Sequence, residues 1–172
     1  MYVMNIKISK ENKYERMGNL FEETIASKFS SKYFTIVTWT TDRCRDTNIR
    51  VESDKNPDFR IRYEPTKEEF AVECKFRTWF YEEINPYGEI VKQSIQWAKP
   101  EQMERYKKYE KEQKIPVFIV IGVGGKPNNP QFIFCIPLKE IKYPEIYGSI
   151  FERNEKNPET NFFWDPKTKK LS

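Results

Sequence analysis

Hydrophobic positions change their period several times along the chain, and each change marks an element. Between residues 10 and 32, Met17, Phe21, Ile25 and Phe29 recur at near-helical spacing in a stretch without proline, which predicts an amphipathic helix. Residues 33–41 (YFTIVTWTT) are rich in β-branched and aromatic side chains and read as a strand. Residues 42–56 are polar, aperiodic and carry three arginines, so a loop is expected there. Segments 57–63 and 69–77 alternate polar and apolar side chains around Glu64-Pro65-Thr66-Lys67, a turn composition that predicts a hairpin.

A long connection, 78–99, leads to residues 100–114 (PEQMERYKKYEKEQK), strongly helical with proline in the favoured first turn. Residues 116–123 (PVFIVIGV) are almost continuously apolar, the pattern of a strand buried on both faces. A loop is expected over 124–130, a strand over 131–136 and a short helix over 138–146. Phe162, Phe163 and Trp164 are expected to pack the tail back onto the body. The order helix, three strands, helix, two strands predicts an α/β fold with a mixed sheet.

Composition narrows this picture. With 172 residues and no repeat, low-complexity tract or Gly/Ser linker, a single domain is expected over 1–172. A hydrophobic fraction of 38% beside 33% charged residues describes a soluble globular chain with a very polar outside. The net charge of +4 is compatible with a polyanionic partner and equally with an ordinary solvated surface. Neither an apolar run long enough to cross a bilayer nor a signal-peptide core is visible, so no membrane association and a cytoplasmic location are expected.

Cys44, Cys74 and Cys135 are odd in number and widely spaced, which predicts reduced, mostly packed thiols. The chain has no histidine. That removes Ser-His-Asp and Cys-His nucleophilic catalysis, His-ligated zinc hydrolases and His-dependent ribonuclease chemistry. Any chemistry must come from carboxylates, lysine, tyrosine or metal.

With the hairpin turn centred between Pro65 and Thr66, Phe59 faces Val72 and Ile61 faces Phe70 on an apolar face shared with Cys74 and Phe76. Asp58 then faces Glu73, and Lys75 follows on the same polar face. Opposed carboxylates repel unless something compensates. A hard divalent cation such as Mg²⁺, which one or two carboxylates and substrate phosphate oxygens typically hold, would do so. Lys75 could steady an attacking water or neutralise charge developing on phosphorus. Adjacent carboxylates favour its charged form, which disfavours it as a simple general base. The alternative is an ordinary solvated hairpin face with Lys75 in an ion pair.

Pro57-Asp58, fourteen residues, then Glu73-Cys74-Lys75 at the end of an apolar strand resembles the PD-(D/E)XK nuclease superfamily, the restriction-endonuclease-like fold. Gly18-Asn19-Leu20-Phe21-Glu22 on the first helix resembles the superfamily's G-x-x-x-E element. Gln102-Met103-Glu104-Arg105-Tyr106 resembles its Q-x-x-x-Y motif on the helix after the catalytic hairpin. The resemblance implies an αβββαβ core over about 10–136, a central mixed sheet flanked by helices, with 137–172 as a C-terminal extension.

It also implies that Asp58 and Glu73 bind Mg²⁺ or Mn²⁺, with the Cys74 backbone carbonyl as a further ligand and the Cys74 side chain in the core. Glu22 would supply or orient a second metal or a water, with adjacent Glu23 the competing candidate. Gln102 joins the catalytic set. Tyr106, Lys99, Arg77 and Lys107 are candidate nucleic-acid contacts, although packing and helix surface would also account for Gln102 and Tyr106. The aromatic and cationic side chains of 39–56 and 78–99 are candidate nucleic-acid contacts or caps on the core. The implied function is a metal-dependent nuclease acting on DNA, with RNA not excluded and endonuclease favoured over exonuclease. The alternative is a nucleic-acid-binding module that keeps the fold without cleaving. A homodimer would suit a small nuclease that must cut both strands.

Overall fold

The computed structural model describes residues 13–40 and 56–172. Residues 10–12 of the expected first helix, residues 42–55 of the expected loop and Cys44 lie outside the described residues.

Helix α1 (Lys13–Ser27) buries Phe21, Glu22 and Ile25. It stops short of residue 32 because Ser27, Ser30 and Ser31 follow one another closely and serine hydroxyls compete for backbone partners. The Ser27 hydroxyl donates to the Thr24 carbonyl at 2.7 Å, and the chain turns so that the Tyr33 amide donates to the Ser30 carbonyl at 3.0 Å. Strand β1 (Phe34–Trp39) then pairs antiparallel with β2 (Phe59–Tyr63), which pairs antiparallel with β3 (Glu68–Arg77). The β2–β3 register is the one that alternation requires, with Phe59 opposite Val72 and Ile61 opposite Phe70.

Helix α2 (Pro100–Gln113) carries the chain back so that β6 (Val117–Lys126) lies parallel to β3. Strand β7 (Asn129–Pro137) returns antiparallel, and the central sheet has the order β1-β2-β3-β6-β7-β9, with β9 (Glu155–Lys156) at its far edge. The sheet is mixed, helices flank it, and the core runs in the αβββαβ order expected. No helix among the described residues is long and apolar enough to cross a membrane.

Alternation sorts the core onto the two faces of this sheet. One cluster joins Phe21, Ile25 and Phe29 to Phe59, Ile61, Phe70 and Cys74, and Trp164 stacks on Phe70 with centroids 4.8 Å apart. The other joins Met103 and Tyr106 of α2 to Ala71, Ile119 and Ile121. Cys74 and Cys135 are buried free thiols, and burial pushes the Cys135 thiol up to about 12.

Several connections differ from expectation. The segment 78–99 holds a hairpin, β4 (Tyr81–Ile84) and β5 (Ile90–Gln96), which joins β8 (Glu145–Tyr147) in a separate three-stranded sheet. Gly88 supplies its turn with a φ of 83°, while Asn85 Oδ1 accepts from the Tyr87 and Glu89 amides. The expected loop 124–130 is a tight hairpin instead: Gly124 and Gly125, at φ 70° and 66°, take left-handed backbone while β6 keeps an unbroken register with β7 as far as Lys126 opposite Asn129. The expected helix 138–146 shrinks to a 3-10 turn, Leu138–Glu140, before β8; Pro144 cannot continue a helix. An unforeseen helix, α3 (Gly148–Asn154), follows. In the tail Phe162 and Trp164 are buried, but Phe163 between them points outward.

Gly122 fixes where α1 sits. A Cβ there would come within 2.4 Å of the Phe21 ring, whose neighbour in sequence is Glu22. Gly122→Ala is therefore expected to destabilise the fold by about 1–3 kcal/mol, lowering Tm by about 2–4 °C for each kcal/mol. In a Phe21→Leu background the same change should cost less. Thermal melts of the cycle check this, and a Gly122→Ala protein as stable as the parent would refute it.

Candidate active site

Strand β3 is longer than its partner. β2 begins at Phe59 opposite Val72, so residues 73–77 run on past the β2 strand, and the Cys74 amide needs another acceptor. Asp58 supplies it, its Oδ2 accepting from the Cys74 N–H at 2.7 Å. Reciprocally, the Asp58 N–H donates to Glu73 Oε2 at 3.3 Å. Each carboxylate thus sits against the other's strand, and the two share one side of the sheet. Because a strand residue's N–H and C=O point the same way, the Cys74 carbonyl also faces Asp58.

This polar face is not solvated: Glu73 is only 3% exposed, beneath α2. Lys75 Nζ donates to Glu73 Oε1 at 2.5 Å. Burial works against the Lys75 ammonium, but the charges of Glu73 and Asp58 and the hydrogen bond to Glu73 outweigh it, so Lys75 stays charged. Tyr106, buried beside Glu73, is held far above the ordinary phenol range, first by burial and then by that carboxylate; it remains a donor at any working pH. The Cys74 thiol is likewise pushed well up by burial and by Asp58, Glu22 and Glu73, which makes it a core group without nucleophilic character.

Glu22 arrives from α1 on the other side of the sheet. Its Oε2 accepts from the Trp39 indole N–H at 3.2 Å, and its charge acts on Asp58. Trp39 itself packs on Phe59 with centroids 5.1 Å apart. Asp58, Glu73, Lys75, Glu22, Gln102 and Tyr106 all line one cleft of about 530 Å³. Gln102 lies at its rim with Oε1 accepting from the Lys99 amide at 3.0 Å, a cap on α2.

Other candidates are placed differently. Arg77 lines the cleft, but its guanidinium donates to the Gln96, Trp97 and Phe76 carbonyls. Lys99 and Lys107 do not line it, and Lys107 pairs with Glu104 at 3.7 Å. Glu23 is exposed on α1. The structure adds Tyr14, Arg105 and the Trp39 indole to the site. Helical spacing could have found the first two: Tyr14 is one turn before Gly18, and Arg105 one turn after Gln102. No local pattern identifies Trp39 as a donor to Glu22.

The donor set suits a hard divalent cation. Asp58, Glu73 and Glu22 bring three carboxyl groups to a cleft whose cations are Lys75, Arg77 and Arg105, and Mg²⁺ needs only one or two protein carboxylates, with waters and phosphate oxygens completing its shell. No group of three or more His, Cys, Asp or Glu side chains among the described residues is arranged to hold a metal alone.

No protein-family model matches the chain, and no curated protein does. Among solved structures the chain is similar to a Holliday junction resolvase from the archaeal hyperthermophile Archaeoglobus fulgidus. Sequence identity is 12% and the TM-score 0.49, over 81% of this chain and 90% of that one.

Asp58 carries the electrostatic cost of the arrangement. Burial, then Glu73 and Glu22, push its carboxyl well above the usual range, only partly offset by Lys75 and the Cys74 amide. A group with a higher pKa folded than unfolded binds protons more tightly in the native state, so stability falls as pH rises from the unfolded value through the folded one. In EDTA, Asp58→Asn should therefore melt above the parent at pH 7, the gap closing as pH falls towards about 4. Melting curves across pH 4–8 test this. Equal or lower stability of the variant at pH 7 would contradict it.

Proposed function

We propose that the chain is a divalent-metal-dependent nuclease that hydrolyses phosphodiester bonds in DNA, acting as an endonuclease. The observation that carries this is the reciprocal pairing of Asp58 and Glu73, with Lys75 bonded to the same carboxylate. Burying like charges side by side destabilises a fold unless a ligand uses them. We read Asp58, Glu73 and the Cys74 carbonyl as the groups that would hold Mg²⁺ or Mn²⁺, with Glu22 as their neighbour.

A bound divalent cation supplies Lewis-acid polarisation of the phosphate and makes a nearby water more acidic. The protein's own groups position the rest. Glu22, anchored by Trp39, orients the water. The water's oxygen attacks phosphorus as the ester P–O bond breaks; the proton that the water loses passes to solvent, and the leaving oxygen takes up a proton from solvent. Lys75 counters the charge that grows on the phosphoryl oxygens. Tyr106 and Gln102 border the same cleft as contacts to substrate. We extend the reading to the whole chain as one domain acting in the cytoplasm, as a homodimer.

Plasmid and single-stranded DNA incubated with the protein test this reading. Cleavage is expected in Mg²⁺ or Mn²⁺ and not in EDTA, falling about 10²–10³-fold in Asp58→Ala and Lys75→Ala. Cleavage that ignores EDTA, or survives both substitutions, rules the mechanism out. Binding by every form with cleavage by none would assign a non-cleaving nucleic-acid-binding module.

A further inference from the structure

Two helices wall the cleft above the carboxylates. Helix α1 contributes Tyr14, Gly18 and Glu22, spaced four apart and therefore on one face. Across from them α2 contributes Arg105. The middle of the α1 stripe calls for a reason, because glycine weakens a helix interior relative to alanine. Positive φ does not supply one, as the glycines with positive φ are Gly88, Gly124 and Gly125. Close packing does not either: a Cβ on Gly18 would meet nothing within 4 Å among the described residues. Gly122 is the contrast, its missing Cβ replaced by the Phe21 ring. Among the described residues, Gly18 lines the cleft.

We infer that Gly18 is where a single DNA strand crosses α1 on its way to the Asp58–Glu73 pair. The sugar-phosphate backbone lies in the gap, the adjacent unpaired base rests on Tyr14, and Arg105 faces the phosphate from the opposite wall. This rests on the nuclease reading and adds its substrate class: an unpaired strand, in preference to continuous duplex.

The chemistry of the walls agrees. Tyr14, 75% exposed on the rim, offers a ring on which any base can stack, and arginine adds the cationic contact that tracks a backbone.

Fluorescence anisotropy with a labelled single-stranded oligonucleotide and its blunt duplex, in Ca²⁺, tests the assignment. The parent should bind the single strand at least about tenfold more tightly than the duplex. Gly18→Leu and Tyr14→Ala should each weaken single-strand binding about tenfold. Gly18→Ala should melt about 2–4 °C above the parent yet bind the single strand more weakly, the reverse of what a purely structural glycine would do. That variant keeps the test decisive even where leucine prevents folding.

Unchanged single-strand affinity in Gly18→Ala and in folded Gly18→Leu overturns the inference, as does duplex affinity equal to single-strand affinity, or no single-strand binding at all. The expected binding pattern without cleavage in Mg²⁺ would defeat the nuclease reading and leave the strand path standing. Cleavage in Mg²⁺ with Gly18-independent binding would defeat only the strand path.

Discussion

Two like charges are clasped together where β3 runs past the start of β2, and the rest of the molecule can be read as what holds them there. The Asp58 carboxylate accepts an amide from the strand bearing Glu73, and the Glu73 carboxylate accepts the amide of Asp58. Neither group can swing away without leaving a backbone N–H unsatisfied, which costs on the order of 1–3 kcal/mol in a buried setting. Hydrogen bonding thus imposes an arrangement that Coulomb repulsion opposes. On the function proposed above, a bound cation would relieve that repulsion.

Around this clasp the two layers of the fold divide the work. Helix α2 lies over the face bearing Glu73, putting the Tyr106 ring beside its carboxylate and stacking that ring on Trp97. Helix α1 packs on the opposite face and reaches round the end of the sheet with Glu22, braced by Trp39 from the edge strand. Glu22, Glu73, Lys75 and Tyr106 therefore meet at the sheet's end on helices and strands, with Asp58 on the bend just ahead of β2 tied to β3 by its hydrogen bond to Cys74, which is how side chains are held to the tolerance that chemistry requires.

What could be read from the chain beforehand follows from burial. The β2–β3 register was legible because a slip of one residue would turn Phe59, Ile61, Phe70 and Val72 outward, so the apolar pattern alone selects the pairing that joins Asp58 to Glu73. The β4–β5 hairpin was not legible, since Tyr81, Ile84, Ile90 and Val91 stay exposed and no period of two separates an inside from an outside. Gly124 and Gly125 looked like loop residues because the left-handed backbone they supply is also what turns use. At the site, the residue types and their common face were readable, whereas the depth of Glu73 and the Trp39–Glu22 bond depend on contacts distant in sequence.

The last strands and rings deserve a different reading from that of an appendage. Residues beyond Pro137 contribute β8 to the small sheet, β9 to the edge of the large one, and the Trp164 ring that stacks on Phe70, while the Trp164 indole donates to Glu68 on β3. Phe70 lies directly opposite Ile61 in the hairpin that bears the clasp. Proteolytic removal of that stretch would strip the inner wall from the strand that positions Glu73 and Lys75, though no residue of the cleft had been touched. Shortening the chain to its αβββαβ core would thus be a way of losing the site, not of isolating it.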